Sequence, residues 1–224
     1  MDSFTQFVLG AACGEAAAGR RLGRRALVWG GLAGTLPDLD VLASPFLSEP
    51  AALRFHRGPT HSLFFAFVAA PLLGWLVARF YRSRARGDPD RLALGDQMPW
   101  TALFFWALWT HPMLDFLTNY GTQLLWPLTD HPFERSSVFI IDPAYTLPLV
   151  VACVVAWRRR VDDASRKRAV TWGLALSSLY LVWGLVAQAH VRNVAARSLA
   201  QAGLAPTRML VEPAAFSSLL WYVI

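Results

Sequence analysis

Long apolar runs at about residues 60–81, 99–119, 143–157 and 169–190 alternate with shorter polar stretches. Roughly twenty helical residues cross a hydrocarbon core of about 30 Å, so these runs predict four membrane-spanning helices. The third run is the shortest, and Ile140 and Ile141 stand where they can extend it. Two further apolar stretches, about 4–18 and 26–43, precede the four and are rich in Gly and Ala. Gly10 and Gly14, then Gly30 and Gly34, set small residues four apart, a spacing that lets helix backbones approach closely in lipid, although composition alone also produces it. The pattern predicts an all-α, multi-pass helical membrane protein with four spans plus an N-terminal hydrophobic helical hairpin. It divides the chain into a helical membrane domain, residues 1–190, and an outward-facing C-terminal segment, residues 191–224.

Composition agrees and narrows the class. Of 224 residues 55% are hydrophobic and only 16% charged, against roughly a quarter charged in a soluble domain. Such apolar content excludes disorder, and two cysteines exclude a disulfide scaffold. Cys13 and Cys153 lie in apolar helices outside any C-x-x-C pair, so neither a disulfide nor a thiolate metal site is expected. The net charge of +6 is unevenly spread. Arg20, Arg21, Arg24 and Arg25 separate the first two stretches, Arg82, Arg84, Arg86 and Arg91 follow the 60–81 run, and Arg158, Arg159, Arg160, Arg166, Lys167 and Arg168 separate the last two. With alternating segments, all three clusters fall on one side, which the positive-inside rule makes cytoplasmic. The connections 44–59 and 120–142 and the tail after 190 then face outward, toward the periplasm of a bacterial inner membrane. Arginines that abut span ends at every second loop speak for topology rather than for nucleic-acid binding. Met1-Asp2-Ser3 offers no basic n-region, so no cleavable signal peptide is expected.

Ionisable residues inside spans are costly and therefore informative. They are Glu15, Asp38, Asp40, His61, His111 and Asp115, with His56 just outside. His111 and Asp115 stand four apart and share one helical face, a spacing suited to two ligands of one metal or to a buried ion pair; Pro112 between them predicts a local break. In His56-Arg57-Gly58-Pro59-Thr60-His61-Ser62 the Gly-Pro step suits the start of a helix, so His56 would sit on the loop and His61 in the opening turn. Pro37-Asp38-Leu39-Asp40 is a turn at the outward end of the second stretch, where one carboxylate can ligate while the other orients a histidine or serves as general base. All three clusters fall on the side opposite the arginines. Imidazoles with carboxylates fit a divalent metal, zinc first, with manganese or iron as alternatives. His56, His61, His111 and Asp115 are the expected ligands, and Asp38 and Asp40 the catalytic carboxylates. Arg57 and Arg135 are candidate substrate-binding residues that could clamp a phosphate. Glu15 and Asp142 are additional candidates, although Asp142-Pro143 also reads as a helix cap and Glu15 as an interhelical hydrogen-bonding group. No H-E-x-x-H, P-loop or G-x-S-x-G motif occurs.

The opening Met1-Asp2-Ser3-Phe4-Thr5-Gln6, the Pro37-to-Asp40 turn, His56-to-Ser62 and the run His111-Pro112-Met113-Leu114-Asp115-Phe116-Leu117-Thr118-Asn119-Tyr120-Gly121-Thr122 together resemble the YdjM-like family of bacterial inner-membrane proteins, regarded as metal-dependent hydrolases. The resemblance implies a multi-pass protein with a hydrolytic metal centre, and the matching polar positions are Asp38, Asp40, His56, His61, His111 and Asp115. Many relatives carry histidine where this chain has Gln6. The H-x-x-x-D element is similar, more faintly, to that of zinc-dependent phospholipase C. The ending after Glu212 resembles the point at which longer members begin an extramembrane domain. The expected function is hydrolysis of a lipid-linked phosphoester or ester by metal-activated water, on a membrane lipid or amphiphilic substrate and without nucleic acid. The rivals are a metal-ion or proton-coupled transporter and a protein in which a metal only fastens helices.

Overall fold

The computed structural model describes residues 1–85, 88, 92–205 and 207–224; Arg86 and Arg91 lie outside the described residues. The chain is mostly helical. Helix α1 (Ser3–Leu22) turns at Gly23 into α2 (Arg24–Thr35), which gives way to a 3-10 segment, Pro37–Phe46. A short α3 (Glu49–Phe55) and a 3-10 turn, Pro59–His61, lead into α4 (Leu63–Ser83). Then come α5 (Gln97–Phe116), α6 (Pro143–Arg158) and α7 (Ala164–Gln201).

Local chemistry marks most starts. The side chains of Asp2, Ser62, Asp96, Asp142 and Asp163 each accept a backbone N–H in the first turn of the helix that follows, which satisfies one of its otherwise orphaned donors. Gly23 ends α1 with φ of 61°, a left-handed conformation that glycine adopts without strain. The apolar stretch 26–43 is not one helix: it stops at Thr35, and Pro37 begins the 3-10 segment, because proline lacks the N–H that would continue the ladder. Pro112, by contrast, sits inside α5, which runs through it to Phe116.

Helix α1 is central and packs on α2, α5, α6 and α7, while α4 packs on α5 and α6 on α7. Gly10 lies against Gly30 and Gly34, and Gly14 against Ala26 and Gly30, so α1 and α2 run antiparallel with backbones in contact; a Cβ on any of these glycines would collide with the facing helix. Leu22, Ala26, Trp100, Leu103 and Leu108 belong to the largest buried cluster. Among the described residues two helices, α4 and α7, are long and apolar enough to cross a membrane, and α6 is a shorter apolar helix. Their outer faces carry exposed large side chains: Phe67, Val68, Leu72 and Trp75 on α4, and Trp172, Leu179, Val182 and Trp183 on α7.

Helix α7 continues eleven residues past 190, to Gln201, so the expected boundary between the two parts of the chain falls inside a helix. Beyond it, β1 (Val211–Pro213) and β2 (Trp221–Val223) pair antiparallel, Val211 opposite Val223 and Pro213 opposite Trp221. This hairpin is tied back to α7: Gln188 Nε2 donates to the Val211 carbonyl at 3.0 Å and the Ser218 hydroxyl is 2.8 Å from the Tyr180 hydroxyl.

The helix ends sort by chemistry. At one end Arg21 pairs with Asp96 at 2.7 Å, Arg24 donates to the Trp157 carbonyl and Arg25 lies over the Tyr81 ring. These contacts gather the ends of α1, α4 and α6 with the starts of α2 and α5. The start of α1 and the ends of α2 and α5 meet at the other end, where the histidines are.

Candidate metal centre

Four residues from three segments converge there. Asp38 comes from the 3-10 segment after α2, His61 from the turn before α4, and His111 and Asp115 from successive turns of α5. One ligand atom from each, His61 Nε2, His111 Nε2, Asp38 Oδ1 and Asp115 Oδ2, all lie within 4.8 Å of one another. Each histidine Nε2 is 3.5 Å from Asp38 Oδ1, and the distances to Asp115 Oδ2 are 3.5 Å from His61 and 3.6 Å from His111. Tetrahedral ligands about 2.0–2.1 Å from a zinc-sized ion stand about 3.4 Å apart, so the spacing suits a divalent cation.

Hydrogen bonding makes the same point. His61 Nε2, His111 Nε2 and Asp115 Oδ2 are all buried without a hydrogen-bond partner among the described residues. Leaving one such atom unpaired costs about 1–3 kcal/mol, and more for a charged group, so three turned toward one point mark a place built to hold something. The opposite atoms are engaged. His111 Nδ1 is 2.7 Å from the Gly34 carbonyl, which makes it the donor and leaves Nε2 with a lone pair. His61 Nδ1 is 3.2 Å from Thr60 Oγ1 and 3.4 Å from Asp40 Oδ2. Asp115 Oδ1 accepts from Gln6 Nε2 at 3.0 Å and from the Met1 amino group.

The two carboxylates of the Pro37 turn have different positions. Asp38 is in the four-residue group, and Asp40 is one layer out, with Oδ1 2.9 Å from His56 Nδ1 and Oδ2 accepting from the Arg57 backbone at 3.0 Å and from Thr60 Oγ1 at 3.2 Å.

The remaining expected site residues fall elsewhere. His56 is outside the four-residue group; its ring is 6.0 Å from that of His61, and its side chain is 43% exposed on a cleft of about 930 Å³ that Phe55, Trp126 and His131 also line. Arg57 is buried, with φ of 60°; Nη1 donates to the Tyr120 carbonyl at 2.9 Å, while Nε, 3.9 Å from Asp115 Oδ2, has no hydrogen-bond partner among the described residues. Arg135 is exposed on a different cleft, shared with Gln188 and Arg192. Asp142 caps α6 and accepts the Tyr180 hydroxyl at 2.8 Å. Glu15 is held at the arginine end by Arg166 through two hydrogen bonds of 2.6 Å, so that candidate is an ion-pair partner and not a neighbour of the centre. Sequence reasoning did not assign roles to Gln6 and the Gly34 carbonyl. A glutamine on the buried face of an Ala- and Gly-rich helix was a signal for the first; a backbone carbonyl carries none.

The comparisons with known proteins bear on the whole arrangement. The model of the YdjM inner membrane protein family matches residues 1–191. Over 111 residues the chain is 34% identical to Inner membrane protein YbcI of Escherichia coli (strain K12), an alignment that covers 49% of this chain and 57% of that relative. No solved structure matches. The matched residues contain every member of the four-residue group and the residues that orient it, and with that span of agreement the chain belongs to the YdjM inner membrane protein family.

Proposed function

We propose that the protein is a multi-pass metal-dependent hydrolase whose centre faces the periplasm and acts on a lipid-linked phosphoester or a related ester. The convergence of three buried, unpaired ligand atoms with Asp38 carries this reading. Asp38, His61, His111 and Asp115 would hold the ion, zinc first by donor type. A divalent ion there supplies Lewis-acid polarisation and brings the pKa of water toward neutrality.

The other residues have separate tasks. Asp40 already accepts hydrogen bonds on both oxygens, which suits it to orient His61 and His56 rather than to take a proton. His56, with Nδ1 against Asp40 and its ring on the open cleft, is the group placed to pass a proton at Nε2 to a departing oxygen. The free Nε–H of Arg57 beside Asp115 suits a phosphoryl oxygen. The apolar wall of the same cleft, Leu47, Phe55 and Trp126, fits an amphiphile.

The test is elemental analysis of the detergent-purified chain, followed by assay on bis(p-nitrophenyl) phosphate and a panel of phospholipids. The expected result is about one divalent ion per chain, lost in His111→Ala plus Asp115→Ala, and turnover lost in His56→Ala while the ion stays. Absence of stoichiometric metal would overturn the reading. Metal retained without turnover on the whole panel would leave the ion a helix fastener.

A further inference from the structure

At the opposite end of the bundle from the candidate metal centre, the turn between α1 and α2 and the connection between α6 and α7 enclose a cleft of about 690 Å³. Five arginines line it: Arg24, Arg25, Arg159, Arg160 and Arg166. Trp157 forms an aromatic wall, with the Arg24 guanidinium 5.5 Å from its ring centroid, and Tyr81 lies under Arg25 at 5.9 Å.

The carboxylates nearby leave most of this charge unanswered. Glu15 is consumed by Nε and Nη2 of Arg166, and Asp163 accepts the Ser165 N–H that begins α7 and stands 3.8 Å from Arg159. Arg25 and Arg160 have no ion-pair partner among the described residues. Arg166 is 2% exposed, and its Nη1 is buried with no hydrogen-bond partner among the described residues. Glu15 neutralises Arg166, so the exposed Arg24, Arg25, Arg159 and Arg160 are the charge that the cleft presents to a ligand.

From the four exposed arginines that crowd this cleft, Arg24, Arg25, Arg159 and Arg160, around the buried Arg166–Glu15 pair, we infer a binding site for a phosphate-bearing anion, remote from the metal centre. Arginine forks match phosphate oxygens. The tryptophan and tyrosine beside them suit the boundary between lipid headgroup and acyl region, so an anionic phospholipid headgroup is the form of that chemistry a membrane presents here.

Native mass spectrometry of the full chain in detergent tests the site, with dioleoylphosphatidylglycerol, dioleoylphosphatidylcholine and inorganic phosphate as separate probes. Saturable binding of phosphatidylglycerol, weakened about tenfold or more in Arg25→Gln plus Arg160→Gln, is expected. The same charge removed at the far end of α7 and beyond it, Arg197→Gln plus Arg208→Gln, should leave binding unchanged. Saturable inorganic phosphate with the same variant sensitivity would support the site and identify a free anion as its ligand. Both substitutions of the first variant are on exposed side chains, so the fold is preserved. Binding of neither anion, equal binding of phosphatidylcholine, or equal losses in the two double variants would overturn the proposal.

Discussion

At the scale of single residues, the division between Asp38 and Asp40 has the clearest consequence. Two carboxylates two positions apart cannot share one helical face, but the 3-10 segment that begins at Pro37 sends one to the four-residue group and the other to the Nδ1 side of His61. Substitutions should therefore separate. His61→Ala removes a ligand atom and should abolish metal retention, whereas Asp40→Asn should weaken metal affinity about 10–100-fold without abolishing it, as read by competition with a chromophoric chelator. Equal effects from the two would remove the distinction between holding the ion and orienting its holder. The clusters around Asp38, His56, His61 and His111 are all legible in the chain as ionisable groups at the ends of apolar runs. What each nitrogen or oxygen does was not legible, because it depends on partners such as the Gly34 carbonyl, 77 residues from His111.

At the scale of elements, the α1–α2 pair and the α1–α7 ion pair carry separate predictions. A Cβ at Gly30 would strike the Gly10 carbonyl, a backbone atom that cannot rotate away, so Gly30→Ala should cost about 1–3 kcal/mol and lower the thermal midpoint of the purified protein. A midpoint at or above that of the wild type would show that the two backbones are not held in contact. Glu15→Gln strands the buried Arg166 guanidinium and should cost about 3–5 kcal/mol, while Glu15→Met plus Arg166→Met should recover most of the loss. Failure of the double variant to recover would mean that the pair is needed for more than mutual neutralisation. Apolar run length made most of these helices readable, and the cap of α6 is visible as Asp142-Pro143, whereas the caps of α4, α5 and α7 at Ser62, Asp96 and Asp163 came from the structure. The second stretch was the exception, since its apolar content runs on to Val41 and Leu42 while the backbone changes at Pro37.

For the whole molecule, the separation of charge is the governing feature. The arginine-bearing ends meet at one end and the histidine and aspartate cluster at the other, and the exposed apolar faces of α4 and α7 lie between. If the arginine end is cytoplasmic, a cysteine replacing Arg84 should resist an impermeant maleimide in intact cells, whereas one replacing Pro132 should label rapidly. The reverse pattern would place the candidate centre inside. Cys13 is buried and Cys153 partly so, which keeps the background of such an experiment low.

The chain by itself determined that the protein is helical and apolar, which residues are too polar for their surroundings, and that basic and histidine-bearing segments alternate. Those properties are local, because hydropathy, capping and charge act over a few neighbouring residues. Only the tertiary structure decided that Asp38 and not His56 completes the four-residue group, that Glu15 belongs to Arg166, and that the arginines enclose a cleft rather than merely flank helix ends. The reason is physical: ligand geometry and ion pairing fall off within a few ångströms, and which side chains come that close depends on how helices distant in sequence pack.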